Sequence, residues 1–305
     1  MAVSFFAFVE HEEKLISLYL RISENKAIKN YLVALRQSNN FSPKFTDQEA
    51  MTIYLYGIMY KFVTVKDIHR YTRQHLQSWF PKLPSYQAFN NRLNFIWRAF
   101  GLFSGELMEE GEKHLDCSLE NVLDSMPIVV AGRIRSGTAR VAPHVCNKGY
   151  CASKRLYYYG LKLHMSGLVN PGTIPMPESF WFSAAEENDL TNARPMLERL
   201  YNRRIYADKI YCDVPLNERL MKEQNTILIT PVKKKIGQLY LDAADQLFST
   251  AVSRIRQPVE SFFNWLNEKT QIQNATKVRS ENGLWVHAWG RFAAALCIWV
   301  LKLNP

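Results

Sequence analysis

The chain has no hydrophobic stretch of membrane-spanning length. The apolar run Phe292 to Leu301 is ten residues long, closed by Arg291 and Lys302, where a spanning helix takes about 20. Cysteine is scarce and odd in number, five in 305 residues, so no disulfide framework is expected. Thirteen glycines and thirteen prolines are too few for a collagenous or linker-like protein. A Gly-rich phosphate loop and a Gly-x-Ser-x-Gly nucleophile elbow are both missing, as are internal repeats and low-complexity tracts. Acid is also in short supply, 28 Asp and Glu against 38 Lys and Arg, leaving a net charge of +10. A polyanionic partner is therefore expected.

What is present reads as ordinary globular protein, 47% hydrophobic and 22% charged, about two domains long at ~150 residues per domain. The opening MAVSFFAFVEHEE has no basic segment ahead of its apolar stretch, which breaks at Glu10, so it reads poorly as a signal peptide. A reduced, cytoplasmic protein is expected.

Residues 1–115 read as a helical domain. Asp47 to Phe62 carries Met51, Tyr54, Leu55 and Ile58 at helical spacing. Thr64 is placed to cap a second helix with Asp67 as its N3 acid, and Ser85 a third, Tyr86 to Phe100. Gln87, Asn90, Asn91 and Arg92 lie on the polar side of that third helix. The arrangement is compatible with a helix-turn-helix-like module whose polar residues contact bases or phosphates, and equally with a plain helical bundle showing a solvated face.

Residues 116–305 change character. Strands are expected over Asn121 to Ala131, Lys154 to Met165 and Ser179 to Ala185, then a helix over Asn188 to Tyr201. A strand over Arg204 to Cys212, a helix over Val214 to Gln224 and a strand over Thr226 to Thr230 follow, with helices again from Val259. This order is that of a ribonuclease-H-like mixed sheet, giving an α/β mixed fold behind the helical domain. Residues 1–115 hold 14 Lys and Arg against 11 Asp and Glu, so most of the positive excess lies in the second part. Between Asp124 and Glu178 there is no acid, but there are seven bases: Arg133, Arg135, Arg140, Lys148, Lys154, Arg155 and Lys162. Tyr150, Tyr157, Tyr158 and Tyr159 are interleaved. Such a stretch suits a phosphodiester backbone; a solvated loop beside a tyrosine-rich strand is the plainer reading.

Three acids stand out. Asp124 lies inside an apolar strand, where a lone carboxylate is costly unless paired or metal-bound. Asp208 sits in a second strand-like segment, and Glu260 follows Pro258 at what reads as a helix's first turn. If the strands are neighbours and the helix packs across them, three carboxylates converge as hard-cation ligands. Each also has a bland role: Asp124 paired with a base such as Lys162, Asp208 with Arg204 or Lys209, Glu260 favouring a helix N-terminus.

Four segments in order resemble the DDE transposases of bacterial insertion sequences. LDSMPI (123–128) is similar to the first-aspartate motif, and CNKGYCASKRLYYYGLKLH (146–164) to the basic strand pair after it. IYADKIY (205–211) is similar to the second-aspartate motif, and RIRQPVESFFNWL (254–266) to the Arg-x-x-x-Glu helix. The resemblance covers essentially the whole chain. It implies a DNA-binding helical part and a ribonuclease-H-like core with Asp124, Asp208 and Glu260 as catalytic and metal-binding residues. It implies Mg²⁺, with Mn²⁺ a substitute, and double-stranded DNA as partner, both terminal inverted repeats and target, in a nucleoid-associated setting. Arg92, Lys154, Arg155, Lys162 and Arg256 are the expected DNA contacts. The implied chemistry is cleavage at element ends and attack of the freed 3′-hydroxyl on target DNA, with a homodimer holding the two ends. A nuclease without strand transfer, and an inactive DNA-binding descendant, are the alternatives.

The chain departs from the family pattern in two places. Ile210 stands where Gly usually follows Asp-Lys, so the strand could run on to Cys212 and present Asp213 instead; Asp213 also suits an N-cap. The Tyr and Lys of a Tyr-x-x-Arg-x-x-x-Glu-x(6)-Lys signature are replaced by Ser253 and Asn267. His144, Cys146, Cys151 and His164 can be drawn as a zinc site, though their spacing is loose. Lys162 and His164 share one side of their strand and are expected to line the active face, His164 alternatively as a core residue. The tail aromatics Trp285, Trp289, Phe292 and Trp299 read as core or dimer packing.

Overall fold

The computed structural model describes residues 2–36, 43–113, 115, 119–151 and 155–303, with side chains from residue 12 onward. The chain divides into two compact units, residues 1–110 with 266–305, and residues 111–265. The C-terminal segment thus clusters with the N-terminal helices, a grouping that differs from a simple division after residue 115.

The first unit is helical: α1 (Ala2–Glu24), α2 (Lys26–Ala34), α3 (Asp47–Met59), α4 (Val65–His75), α5 (Tyr86–Phe95), α6 (Trp97–Glu112) and α10 (Glu281–Trp299). Thr46 and Glu49 form a reciprocal capping box that starts α3. Thr64 caps α4 through the Asp67 N–H, and Ser85 caps α5 through the Ala88 N–H. All of α3 except Gln48 and Glu49 is buried. It is a central helix with neighbours all round rather than one with a single core-facing stripe. The third helix does not run to Phe100: it ends at Phe95, and α6 starts afresh at Trp97. Gly290 of α10 is why α3 and α10 approach closely, since a Cβ there would lie 2.4 Å from the Tyr54 ring. The Tyr54 hydroxyl donates to the Val286 carbonyl at 3.3 Å. Trp285 stacks on Trp97, and Phe292 is buried, so these tail aromatics are core.

The second unit is built on one six-stranded mixed sheet. Its strands are β1 (Glu120–Gly132), β2 (Asn147–Cys151), β3 (Leu156–Leu168), β4 (Met176–Ala184), β5 (Arg204–Ala207) and β6 (Ile227–Ile229). β1 lies between β3, antiparallel, and β5, parallel, with β6 parallel beyond β5. The free edge of β3 is shared, β2 pairing with residues 156–160 and β4 with 161–168. Helices α7 (Asp189–Leu197) and α8 (Val214–Gln224) join the later strands. Their apolar residues Ala193, Leu197, Leu216 and Leu220 pack with Leu123, Ile205, Ala207 and Leu228 of the sheet. One face of β1 and β5 is thereby covered, leaving the alternate residues to the other face.

The last helix of this unit, α9 (Ala243–Thr270), is 28 residues long and continues past the unit's end at Trp265. It begins well before the expected helix at Val259, and Pro258 lies inside it rather than in its first turn. An interior proline withholds one backbone donor, and the long helix on either side of it holds the shape.

Candidate active site

Leu123 of β1 stands opposite Ala207 of β5 in parallel register. Asp124, the next residue of β1, therefore faces away from α7 and α8, and Asp208, directly after the end of β5, is close enough for its charge to raise the Asp124 carboxyl. β5 stops at Ala207 and does not run on to Cys212. Asp208 accepts from the Lys209 N–H at 2.8 Å and caps the 3-10 turn Lys209–Tyr211. No residue of that turn has a positive φ, so Ile210 takes the place of the family's Gly without backbone strain. Asp213 has another occupation: it accepts from the Leu216 N–H at 3.1 Å, capping α8, and pairs with Arg194 at 2.7 Å.

α9 brings the third acid. Arg256 and Glu260 are one turn apart, and the Arg256 guanidinium bridges them to β1. It donates to Asp124 at 2.6 Å and to Glu260 at 2.7 Å. Burial pushes Asp124 up to about 6, against the lowering effect of Arg256 and of the Ser125 N–H, with Asp208 and Glu260 raising it further. The charges of Asp208 and Glu260 are thus both felt at Asp124. Arg256 Nε is buried and has no hydrogen-bond partner.

Three carboxylates are the donor set that a hard divalent cation takes, and in that chemical sense Asp124, Asp208 and Glu260 fit one. Among the described residues no three His, Cys, Asp or Glu side chains are gathered at ligating distance; Arg256 bonds one oxygen each of Asp124 and Glu260. The zinc arrangement is not assembled among the described residues either: His144 is exposed, while His164 and Cys146 are buried.

The expected basic contacts fare differently. Lys162 and His164 stand opposite Pro127 and Ser125 in the β1–β3 register, and directly opposed residues share a face. They lie on the α7 side, not with Asp124, so the expectation that they line the face of the acids is corrected. Lys162 pairs with Asp189 at 2.7 Å, and Ser125 donates to the same carboxylate at 3.0 Å. His164 bonds Ser183 at 2.8 Å and stacks on Trp181; burial lowers it to about 4, the core-histidine alternative. Arg92 is turned onto the buried Asp47 of α3 by a two-pronged contact, so its guanidinium holds the bundle together instead of standing free. Arg155 is exposed, and Lys154 lies outside the described residues. Asp189 escaped the sequence reading because an acid one residue after Asn188, at a helix start, looks like a plain first-turn acid.

This chain belongs to a family of DNA transposases: the model of the transposase DDE domain matches residues 121–297, more than half of the chain, a span holding all three acids. Transposition, and with it DNA recombination by a nuclease-class enzyme of insertion sequences, is the family's work. DNA is accordingly the substrate, and a divalent metal the family's usual requirement. No curated protein and no solved structure matches the chain. No described helix is long and apolar enough to cross a membrane.

Proposed function

We propose that this transposase cuts DNA at the ends of its own element and joins the freed 3′-hydroxyl to target DNA, using Asp124, Asp208 and Glu260. The observation that supports the reading is the Leu123–Ala207 register, with an aspartate following each residue, together with the Arg256 contacts to Asp124 and Glu260. A ribonuclease-H-like core is the reading of the sheet, four strands in antiparallel pairings followed by two parallel ones with a helix between them. Asp124, Asp208 and Glu260 would hold Mg²⁺ or Mn²⁺, which supplies charge neutralisation at phosphorus and a more acidic water.

The chain's own contribution is placement. Asp124 and Asp208 are fixed by sheet register and by the backbone N–H groups of Ser125 and Lys209. Arg256 holds the Asp124 and Glu260 carboxylates together through its two terminal nitrogens and so orients both. Both steps are in-line displacements. Water attacks phosphorus and the 3′-oxygen leaves as a hydroxyl; that hydroxyl then attacks a target phosphorus and displaces the target's 3′-oxygen. Two ends moved together require two copies on DNA, which the mass of the end complex checks.

The test is cleavage of a labelled duplex carrying the element's terminal repeats, in Mg²⁺ and in EDTA, by wild type and Asp208→Asn. Mg²⁺-dependent nicking lost in the variant is the expected result. A variant that still cuts removes Asp208 from the site, and a wild type that binds without cutting makes the protein a DNA-binding descendant. Joined product on a supercoiled target separates a transposase from a nuclease.

A further inference from the structure

A second basic site lies at the far end of β1 from the acids. The 3-10 turn Arg133–Gly137 and the β2–β3 hairpin enclose an open cleft of about 620 Å³ lined by Arg133, Lys148, Arg155 and Tyr157. None of these three cations has an ion-pair partner among the described residues. Elsewhere in the unit Lys162, Arg194, Arg203, Arg219 and Arg256 are each matched to an acid. No acid occurs in the sequence between Asp124 and Glu178, and none lines the cleft.

The cleft is also shaped. Arg133 and Arg155 both hold left-handed backbone, φ 53° and 48°, a conformation that costs a non-glycine residue about 1 kcal/mol or more and that gathers at binding sites. Tyr157 pairs across the hairpin with Tyr150, ring centres 4.9 Å apart, and both rings are exposed. The Lys148 ammonium sits 4.9 Å from the Tyr157 ring centre, steadied by the ring while its donors stay available. Uncompensated cations without a carboxylate take an anion, not a metal. Nine positions of β1 separate Asp124 from Arg133, roughly 25–30 Å at the rise of a strand. No small ligand at the acids reaches that far; a DNA duplex does, in roughly seven to nine base pairs.

We propose that the Arg133–Lys148–Arg155–Tyr157 cleft grips phosphates of duplex DNA roughly seven to nine base pairs from the phosphate at the acids. The spacing rests on the reading of Asp124 as part of the cutting site; the grip itself does not. Anisotropy of a fluorescein-labelled 30-base-pair duplex is titrated with full-length protein in EDTA across a KCl series. Wild type, Arg133→Ala/Arg155→Ala and the control Arg199→Ala/Lys222→Ala are compared, with Arg133→Lys/Arg155→Lys as rescue. Each phosphate contact adds about 0.9 to the slope of log K against log salt. The double alanine variant is expected to lose roughly 1.8, the control to lose much less, and the lysine variant to recover most of it. An unchanged slope, an equal loss in the control, or displacement of the duplex by sub-millimolar pyrophosphate overturns the proposal. Absence of Mg²⁺ cleavage with a reduced slope in the variant sinks the cutting site and leaves the cleft standing.

Discussion

Arg256 and Asp124, 132 positions apart, meet at 2.6 Å, and the same guanidinium holds Glu260 one helical turn on. One cation therefore ties α9 to β1 through two acids of the candidate site. The Arg256 and Asp124 side chains are 15% and 20% exposed, so the pair is worth more than a surface bridge and less than a dry one. Arg256→Met is expected to lower stability by about 2 kcal/mol, and Arg256→Met/Asp124→Asn to cost less than the two single changes added. Urea unfolding of the four proteins in EDTA gives the coupling; additive losses would mean that the two side chains do not support each other.

On the opposite face, Lys162 reaches the Asp189 carboxylate and the Glu187 carbonyl, and Ser125 donates to Asp189. Lys162 and Asp189 are 16% and 12% exposed. Removing the cation strands a carboxylate at the start of α7. Lys162→Met is expected to cost about 3 kcal/mol, and Lys162→Met/Asp189→Leu to return part of it. Thermal melts check this. Full DNA affinity retained in Lys162→Met would agree with its place away from the acids; a large drop in the salt slope would put Lys162 on DNA after all.

Gly160 is a backbone requirement of the sheet. A Cβ there would sit 2.0 Å from the Ile128 carbonyl oxygen, and backbone cannot step aside as a side chain does. Gly160→Ala should cost about 3 kcal/mol or more by prying β1 from β3. Gly105, in the helix α6 with open space around it, is the contrast: Gly105→Ala should gain about 0.5–1 kcal/mol. Urea midpoints of the two variants should move in opposite directions.

Much of this architecture could be read from residues. The caps at Thr64, Ser85 and Asp213 were legible because a side-chain oxygen answering an orphan N–H is a local event. The order of the longer strands was legible because apolar β-branched runs declare themselves. Face and partner were not. Lys162 and His164 correctly share a side, yet which side depends on the register with β1, and register is set by nonlocal pairing. Arg92 is chemically a good DNA ligand, but the buried Asp47, 45 positions away, engages its guanidinium. Pro258 looked like a helix start because proline usually is one; only the long helix around it overrides that preference.

The helical unit should be acid-labile for a specific reason. His287 of α10 donates from Nε2 to the Ile272 carbonyl at 2.8 Å and accepts on Nδ1 from Arg291 at 3.1 Å. Arg291 also binds the Thr270 and Val63 carbonyls, the latter at 2.6 Å. Burial first, then the Arg291 charge, lowers His287 to about 3 from an ordinary 6.5. Above pH 6.5 the ring is neutral folded or unfolded, and the shift has no effect on stability. Below it the unfolded chain takes up a proton that the folded one refuses, so stability falls by about 1.4 kcal/mol per pH unit. By pH 5 the loss is roughly 2 kcal/mol, before most carboxylates titrate. Asp124, raised to about 6, titrates in the same window with the opposite sign, since protonation relieves its burial; it belongs to the other unit, where it offsets His164. His287→Gln keeps a donor and an acceptor without the titration. Unfolding of the helical unit, followed by Trp97 and Trp285 fluorescence from pH 7.5 to 5, should show a steep decline in wild type and a flatter one in the variant. Parallel curves would mean that His287 is not the group that acid attacks.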